Sequence, residues 1–151
     1  MERLLISACF LGKNCKYSGG NNALPPELLA RLREKYHLVP VCPEQLGGLP
    51  TPRQPSERRG ELVATRDYEN VTAEFERGAE EALKLCHLYR CRYAILKERS
   101  PSCGTGWIYD GSFRGRLVHG YGVTAELLAS YGVTVLGESE VKHFRFVEDA
   151  P

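Results

Sequence analysis

The chain has 151 residues, of which 42% are hydrophobic and 26% are charged, and this composition fits one globular domain and excludes a disordered or fibrous protein. Its formal net charge of +1 excludes the broad positive surface that neutralises many phosphates on a long nucleic acid. No apolar run approaches the length of a membrane span and the N-terminus lacks the pattern of a signal peptide, so we expect a cytoplasmic protein.

The N-terminal segment predicts a strand, a loop and a helix. Residues 4–8 form a short apolar run typical of a strand buried on both faces, and the run ends at Cys9. Glycines and asparagines punctuate residues 9–22, which predicts a loop. Pro25 and Pro26 suit the first turn of a helix. The apolar stripe of this helix consists of Leu28, Leu29, Leu32 and Tyr36.

The second predicted strand also ends at a cysteine. It covers residues 38–42, and Pro40 favours an edge position because proline has no N–H to donate to a neighbouring strand. The last residue of this run is Cys42. Residues 43–70 are rich in proline, glycine and charge, and they predict a long irregular connection, which inside a compact domain is usually functional.

A second helix pattern leads to a third strand. Thr72 is a candidate N-cap for this helix. The apolar face that follows consists of Phe75, Ala79, Ala82, Leu83 and Cys86. Residues 93–97 predict the third strand, and Cys103 follows its end after a short loop.

The C-terminal third begins with a segment rich in glycine and aromatic residues. Residues 104–122 predict a loop or a small hairpin around Asp110-Gly111. Residues 124–131 predict the last helix and residues 133–136 the last strand. Beyond them we expect a packed or frayed terminus rather than a nucleic acid contact for the basic and aromatic residues Lys142, His143, Phe144, Arg145 and Phe146.

Strands that alternate with helices predict an α/β fold, a Rossmann-like open parallel sheet of about four strands with helices on both faces. We expect a single domain over residues 1–138 and a C-terminal tail over residues 139–151. The C-terminal ends of parallel strands share one edge of the sheet, where ligands of such folds bind. We therefore expect Cys9, Cys42 and Cys103 to converge at that edge.

Three cysteines at one edge predict a site for a soft metal. In a reducing compartment, cysteines are more often thiols or metal ligands than disulfides, and thiolates favour iron–sulfur clusters, zinc or copper(I). A cubane with only three protein ligands keeps one iron open for a substrate sulfur. Cys15 is a candidate fourth ligand, whereas Cys86 and Cys91 are interpreted as small buried hydrophobic residues.

Each of the three cysteines lies in a longer motif. These motifs are Ser7-Ala-Cys-Phe-Leu-Gly12, Pro40-Val-Cys-Pro-Glu-Gln-Leu-Gly-Gly-Leu-Pro-Thr-Pro-Arg53 and Lys97-Glu-Arg-Ser-Pro-Ser-Cys-Gly104, with Ile108-Tyr-Asp-Gly111 and Gly120-Tyr-Gly-Val-Thr124 further along the chain. In combination they closely resemble the thiouracil desulfidase (TudS-like) family, formerly a domain of unknown function. The resemblance covers nearly the whole chain to about Glu138.

This resemblance implies a 4Fe-4S-dependent enzyme that replaces the sulfur of a thiolated pyrimidine with oxygen from water and releases sulfide. The implied substrates are 2- or 4-thiouracil, 4-thiouridine or its monophosphate. The resemblance assigns the cluster, with its open iron, to Cys9, Cys42 and Cys103, and it assigns the catalytic carboxylate and serine to Glu44 and Ser100. Some relatives act on 4-thiouridine in transfer RNA, which makes transfer RNA an alternative substrate.

The residue types near these cysteines fit that chemistry. Glu44 lies two residues after Cys42, where its carboxylate can take a proton from the attacking water. Arg53 is a candidate for binding a substrate phosphate, because a guanidinium pairs bidentately with phosphate. Ser102, two residues after Ser100, is a candidate for orienting the substrate or for a structural role in the turn.

Two other classes of protein also explain cysteines in loops. A non-catalytic zinc or nucleotide-binding module needs such ligands but gives no reason for a glutamate beside them. A sulfur carrier takes a persulfide on one low-pKa thiolate and tolerates the loss of the other cysteines. Nothing in the sequence specifies an oligomeric state.

Overall fold

The computed structural model describes residues 1–141. Its elements in chain order are β1 (Glu2–Ser7), a 3-10 helix (Ala8–Leu11), α1 (Pro26–Lys35), β2 (Tyr36–Val41), α2 (Pro43–Leu46), β3 (Ser56–Arg59), β4 (Leu62–Thr65), α3 (Thr72–Tyr89), β5 (Tyr93–Leu96), β6 (Trp107–Tyr109), β7 (Leu117–His119), α4 (Val123–Ser130), β8 (Thr134–Gly137) and α5 (Glu138–Val141). Helix α5 begins at Glu138, and the predicted division into a domain over residues 1–138 and a tail over residues 139–151 stays a prediction. Residues 142–151, with their basic and aromatic stretch, lie outside the described part.

Four strands form a central sheet in the order β2-β1-β5-β8, and every neighbouring pair is parallel. This arrangement confirms the predicted α/β fold with an open parallel sheet. Strand β2 lies at one edge, where the missing N–H of Pro40 is tolerated. The chain adds β2 on one side of β1 and then returns to add β5 on the other, so the strand order switches between β1 and β5. A crevice opens at such a point, beyond the C-terminal ends of the strands.

Helices cover both faces of the sheet, as predicted. On one face α1 packs its buried leucines against β1, and the contact consists of Leu28, Leu29, Leu32, Leu4 and Ile6. On the other face α3 and α4 pack against β1 and β5 through Ala82, Leu128, Leu5 and Leu96. Within residues 1–141, no helix is long and apolar enough to cross a membrane.

Two predictions for the first half of the chain are wrong. The connection over residues 43–70 is not irregular throughout, because it contains α2 and the antiparallel hairpin β3–β4. Strand β3 is the charged run Ser-Glu-Arg-Arg, which lacks the apolar alternation that reveals a strand. Tyr36 does not continue the stripe of α1 but begins β2, where its ring packs edge-on against Tyr93 with the ring centres 6.5 Å apart.

The later elements lie close to their predicted positions, with one different helix start. The N-cap of α3 is Val71, and Thr72 is the first helical residue. The hydroxyl of Thr72 instead accepts the N–H of Val63 at 2.9 Å, which joins the helix to β4. The predicted small hairpin is β6–β7, and its connecting loop contains Asp110 and Gly111.

Candidate active site

Cys9 lies in the 3-10 helix that follows β1. This turn ends at Gly12, whose φ of +89° is in the left-handed region that favours glycine. Cys9 is 7% exposed. Burial raises the pKa of the Cys9 thiol, and a hydrogen bond from the Asn22 side chain to its sulfur offsets part of this rise. An amide donor at this point stabilises negative charge on the sulfur.

Cys42 and Glu44 come to the same edge through β2 and α2. Cys42 is the N-cap of α2, and Pro43 occupies the first helical position, where a missing N–H is tolerated. Glu44 follows in the first turn, and its side chain is 17% exposed. Because α2 starts directly after β2, the thiol and the carboxylate both lie at the C-terminal edge of the sheet.

Cys103 follows β5 in a tight turn that the Ser100 side chain organises. The Ser100 hydroxyl oxygen accepts the backbone N–H groups of Ser102 at 3.1 Å and Cys103 at 3.0 Å. The N–H of Gly104 donates to the Ser100 carbonyl at 2.8 Å, and a Cβ at position 104 would come within 2.7 Å of that oxygen. The turn therefore requires glycine after Cys103, and its hydrogen bonds fix the buried cysteine.

One cavity at this edge collects the predicted residues. Its volume is ≈ 570 Å³, which is in the range of small-molecule sites. Its walls include Cys9, Cys42, Cys103, Glu44 and Ser100. The hairpins β3–β4 and β6–β7 form the outer wall, where a carboxylate oxygen of Glu57 accepts the N–H groups of Gly111 and Phe113, each at 3.0 Å. The structure thus brings together five residues that come from distant parts of the chain.

Two of the thiols in this cavity have raised pKa values. Burial raises the pKa of Cys9 and of Cys103, and the nearby Glu44 carboxylate raises that of Cys103 further. A thiolate here therefore needs a positive charge, such as that of a metal centre, to stabilise it. A sulfur carrier needs a low-pKa thiolate instead, and these thiols do not fit that class of protein.

Cys15 also faces the cavity, from the loop that follows the 3-10 helix. It is 2% exposed, and the Cys42 thiol donates to the Cys15 carbonyl oxygen at 3.6 Å. Burial and the neighbouring Cys42 raise the pKa of Cys15 to about 12. Cys15 lies beside Cys42, and its role as a fourth ligand stays a prediction.

The donor set fits a cluster better than a single ion. Within residues 1–141, no three His, Cys, Asp or Glu side chains lie close enough together to hold one metal ion. A cubane is larger than one ion, and its cysteines bind different iron atoms. Free thiols at three separate strand ends around a common cavity match that wider spacing rather than a tetrahedral zinc site.

Arg53 positions Glu44. Its guanidinium is 7% exposed at the side chain and donates to a Glu44 carboxylate oxygen at 2.9 Å. Its remaining hydrogen bonds go to the carbonyls of Cys15 at 2.9 Å and Pro50 at 3.1 Å and to the Thr51 hydroxyl at 2.9 Å. Burial raises the pKa of Glu44, and the Arg53 charge opposes this effect. The predicted contact of Arg53 with a phosphate stays a prediction.

Ser102 is fully buried, and its hydroxyl pairs with the Thr124 hydroxyl at 2.9 Å. The Thr124 N–H donates to the Ser102 carbonyl at 2.8 Å. A Cβ at Gly122 would come within 2.3 Å of the Ser102 backbone, so the start of α4 lies directly on the turn that carries Cys103. These contacts favour the structural role of Ser102, and its role in orienting the substrate stays a prediction.

Two glycines place α2, and with it Glu44, directly on α3. A Cβ at Gly47 would lie 1.9 Å from the carbonyl oxygen of Glu74, and a Cβ at Gly78 would lie 1.9 Å from that of Pro43. The side chain of Arg77 also donates to the Gly47 carbonyl at 2.8 Å. Gly47 thus serves close packing between two backbones.

Gly78→Ala is expected to displace α2 and to destabilise the fold by about 3 kcal/mol or more, because the new Cβ overlaps a backbone oxygen that no side-chain rotation can move. Thermal unfolding measures this loss. Gly20→Ala is the matched control, since its Cβ would meet the Ser18 hydroxyl at 3.4 Å and its effect is expected below about 0.5 kcal/mol. Equal unfolding midpoints for the two variants would contradict the packing account.

Several cavity residues were not singled out from the sequence. Lys97 and Arg99 lie in the motif around Cys103, which is the signal that could have identified them. Arg99 has a φ of +66°, a strained conformation of the kind found at functional sites. Asn22 lies at the end of the loop before α1, and Arg66 follows β4. No local sequence pattern identifies either residue as part of a site. Arg58 of β3 donates to a Glu126 carboxylate oxygen at 2.8 Å, outside this cavity.

Cys86 and Cys91 lie in the core between the sheet and α3, where they are 2% and 6% exposed. The Cys91 N–H donates to the Cys86 carbonyl at 2.9 Å and closes the C-terminus of α3. This packing agrees with their interpretation as small buried hydrophobic residues.

Comparison with known proteins gives a consistent result. The family model described as 2-thiouracil desulfurase matches residues 4–140. The uncharacterized protein YbbK of Bacillus subtilis (strain 168) is 38% identical over 148 residues, which cover 91% of this chain and 97% of that protein. The solved structure of the [4Fe-4S]-dependent thiouracil desulfidase TudS is 42% identical and superposes with a TM-score of 0.93 over 100% of both chains.

Proposed function

Because the chain belongs to the 2-thiouracil desulfurase family, we propose that it is a 4Fe-4S-dependent desulfidase, which replaces the sulfur of a thiolated pyrimidine with oxygen and releases sulfide. The observation that carries this proposal is the single cavity where the cysteines of three strand ends meet Glu44 and Ser100. The cysteines are free thiols, which is typical of a reducing compartment and supports a cytoplasmic location.

Cys9, Cys42 and Cys103 would hold the cluster. All three line one cavity, and burial raises the pKa of the Cys9 and Cys103 thiols, so a bound cationic centre would stabilise their thiolates. When bound, the cluster supplies a Lewis-acidic iron with a high affinity for sulfur. The protein side chains around it then have to bind the pyrimidine, deliver water to its carbon and move protons.

Glu44 is the general base for the attacking water. Its carboxylate lies on the cavity wall beside the cysteines, and burial raises its pKa, which makes it a stronger base than an exposed glutamate. One of its oxygens accepts the Arg53 N–H at 2.9 Å, so the orientation of the carboxylate is fixed. Glu44 takes one proton from water while the oxygen of that water forms the new bond to carbon.

Ser100 is a hydrogen-bond donor to the substrate or the water. Its oxygen already accepts two backbone N–H groups, so its own O–H remains to donate into the cavity that it lines. This geometry does not suit a nucleophile, because within residues 1–141 no hydrogen bond joins the Ser100 hydroxyl to a histidine or carboxylate base.

Ser100→Ala is expected to lower kcat by about 10²–10³, because the substrate loses a preorganised donor. The turn also loses an acceptor for two N–H groups, so thermal unfolding is measured beside the steady-state rate. Ser130→Ala, on the surface of α4, serves as the control and should change neither quantity. An unchanged kcat in a folded Ser100→Ala protein would remove Ser100 from the mechanism.

A pyrimidine nucleotide fits this cavity better than a free base. Its volume of ≈ 570 Å³ exceeds what one pyrimidine ring needs, and its walls include the cationic side chains of Lys16, Arg66 and Arg99. The guanidinium groups of Arg66 and Arg99 can approach a 5′-phosphate, in contrast to that of Arg53, which four hydrogen bonds hold in place. The substrate we favour is therefore 4-thiouridine monophosphate.

Arg66→Gln is expected to lower kcat/KM for 4-thiouridine monophosphate by about tenfold or more, because one charge-assisted contact is lost. The same change should leave kcat/KM for 4-thiouracil unchanged, since the free base has no phosphate. Arg33→Gln, on the exposed surface of α1, controls for the loss of charge alone. Equal losses for both substrates would argue against a phosphate contact.

The experiment that tests the activity uses protein reconstituted anaerobically with iron and sulfide. The formation of uracil from 4-thiouracil and of uridine monophosphate from 4-thiouridine monophosphate is followed by chromatography. Glu44→Gln is the comparison, because the amide keeps the shape of the carboxylate but cannot take the proton. We expect product from the wild type and essentially none from the variant. If both proteins make product equally, Glu44 is not the base, and if neither does, the proposed substrates are wrong.

A further inference from the structure

A fixed ion pair lies beside Cys9 at the C-terminal ends of β5 and β8. The Lys97 ammonium contacts a carboxylate oxygen of Glu138 at 2.6 Å, and the side chains are 33% and 19% exposed. The other carboxylate oxygen of Glu138 accepts the N–H of Glu98 at 2.7 Å. The backbone N–H of Lys97 donates to the buried Ser7 hydroxyl at 3.0 Å. Both ends of the pair are therefore held in place.

The Lys97 ammonium keeps one hydrogen for a ligand. It has three N–H groups, of which one goes to Glu138 and one to the Glu98 carbonyl at 3.2 Å. Within residues 1–141, no acceptor takes the third, and Lys97 lines the cavity. A lysine with a free N–H on a cavity wall is a binding group for an anion.

The positive end of the pair is the one on the cavity wall. Lys97 lines the same cavity as Cys9, Cys42 and Cys103, and Glu138 is not among the residues of that wall. Arg53, another cation on this wall, already donates to Glu44 and three further acceptors. Lys97 directly follows β5 and, unlike Arg53, keeps an N–H for a new partner.

We propose that Lys97 binds the sulfur that leaves the pyrimidine as hydrosulfide, and that Glu138 positions the ammonium for this role. The inference rests on the proposed function and names the side chain that stabilises sulfide, the second product of that reaction. The carbon–sulfur bond breaks with its electron pair going to sulfur, and a carbon–oxygen bond forms from water. Of the two water protons, one is transferred to the sulfur, which leaves as hydrosulfide, and the other goes to the Glu44 carboxylate. No oxidant or reductant is required.

The test measures hydrosulfide binding in the absence of any pyrimidine. Anaerobically reconstituted wild type, Lys97→Met, Lys97→Arg and Glu138→Gln are titrated with sodium sulfide, and the visible absorbance gives the dissociation constant. We expect Lys97→Met to weaken binding by about tenfold or more, since a charge-assisted hydrogen bond is lost. Lys97→Arg should retain most of the affinity, and Glu138→Gln should fall between them. Lys84→Met, on the exposed side of α3, is the control for charge.

The outcomes separate this inference from the proposed function. A dissociation constant in Lys97→Met equal to that of the wild type would overturn the role of Lys97. Lys97→Gln gives the same comparison if the methionine variant does not fold. Equal losses in Lys97→Met and Lys84→Met would reduce the effect to net charge and would also overturn the proposal. A reconstituted wild type that holds no iron contradicts the desulfidase itself, and this result appears before the sulfide titration begins.

Discussion

Cys103→Ala is expected to leave the protein unable to hold iron. After anaerobic reconstitution the wild type should contain about four irons per chain and absorb visible light, and the variant should be colourless. Cys103 is 5% exposed and lies in a turn fixed by Ser100, so its thiol has a fixed position on the cavity wall. Cys9→Ala and Cys42→Ala should give the same result, because a cubane with only two protein ligands is readily lost.

Two further cysteine variants make this expectation specific. Cys86→Ala removes a buried thiol outside the cavity, so it should keep the iron although it costs some stability. Cys15→Ala decides between two roles of Cys15. If the variant loses iron, Cys15 is a ligand of the cluster, and if it retains iron, Cys15 only packs beside Cys42. A sulfur carrier should tolerate two of the three single changes at the strand ends. Retained iron in Cys103→Ala would contradict the assignment of the ligands.

Arg53→Met is expected to destabilise the protein by about 3–5 kcal/mol and to abolish turnover. The change leaves the carboxylate of Glu44 without its partner in a site where the two side chains are only 7% and 17% exposed. It also frees the carbonyl groups of Cys15 and Pro50, which Arg53 ties to the same point. Denaturant unfolding of the metal-free protein measures the loss without interference from the cluster.

The double variant Glu44→Gln with Arg53→Met distinguishes a buried charge from a general loss of packing. Because it removes the charge as well as its partner, it should recover part of the stability that Arg53→Met loses. Arg92→Met breaks the exposed pair of Arg92 with Glu2 and should leave the unfolding midpoint nearly unchanged. If Arg53→Met is as stable as Arg92→Met, Arg53 does not hold the site together.

The convergence of the three cysteines could be predicted because it depends on local patterns. Short apolar runs that end at Cys9 and Cys42 identify strands, and parallel strands place their C-terminal ends at one edge. Cys103 was less directly predictable, because it lies not at a strand end but in a turn, seven residues after Leu96, the last residue of β5. The family resemblance supplied the roles of the residues, and the family and the fold are both confirmed.

The contacts that hold the site could not be predicted, because they join residues that are distant in sequence. Lys97 meets Glu138, and Gly78 meets the backbone of Pro43. Neither pair leaves a periodic pattern that reveals its partner. The charged strand β3 could not be predicted for a related reason. It pairs with β4 at the cavity mouth, outside the main core, so its residues need no alternation of apolar and polar side chains.

Arg53 has contacts in the site that the sequence did not predict, and its contact with a phosphate stays a prediction. Its position in the motif after Glu44 predicts a place in the site, and the structure puts it on the cavity wall. The partner of its guanidinium depends on how residues 50–53 fold back over α2, which the sequence pattern does not specify. The hydrogen bonds to Glu44, Thr51 and two carbonyls show that it fixes other site residues.

The most direct test of the account compares one preparation with and without its cluster. Anaerobically reconstituted protein is divided, a chelator strips the iron from one half, and both halves receive 4-thiouridine monophosphate while thiocarbonyl absorbance and released sulfide are followed. We expect the loaded half to release one sulfide for each thiocarbonyl lost and the stripped half to do neither. Equal turnover in the stripped half would contradict a cluster-dependent desulfidase. A loaded half that releases no sulfide from the nucleotide, or from 4-thiouracil in a parallel assay, would also contradict it.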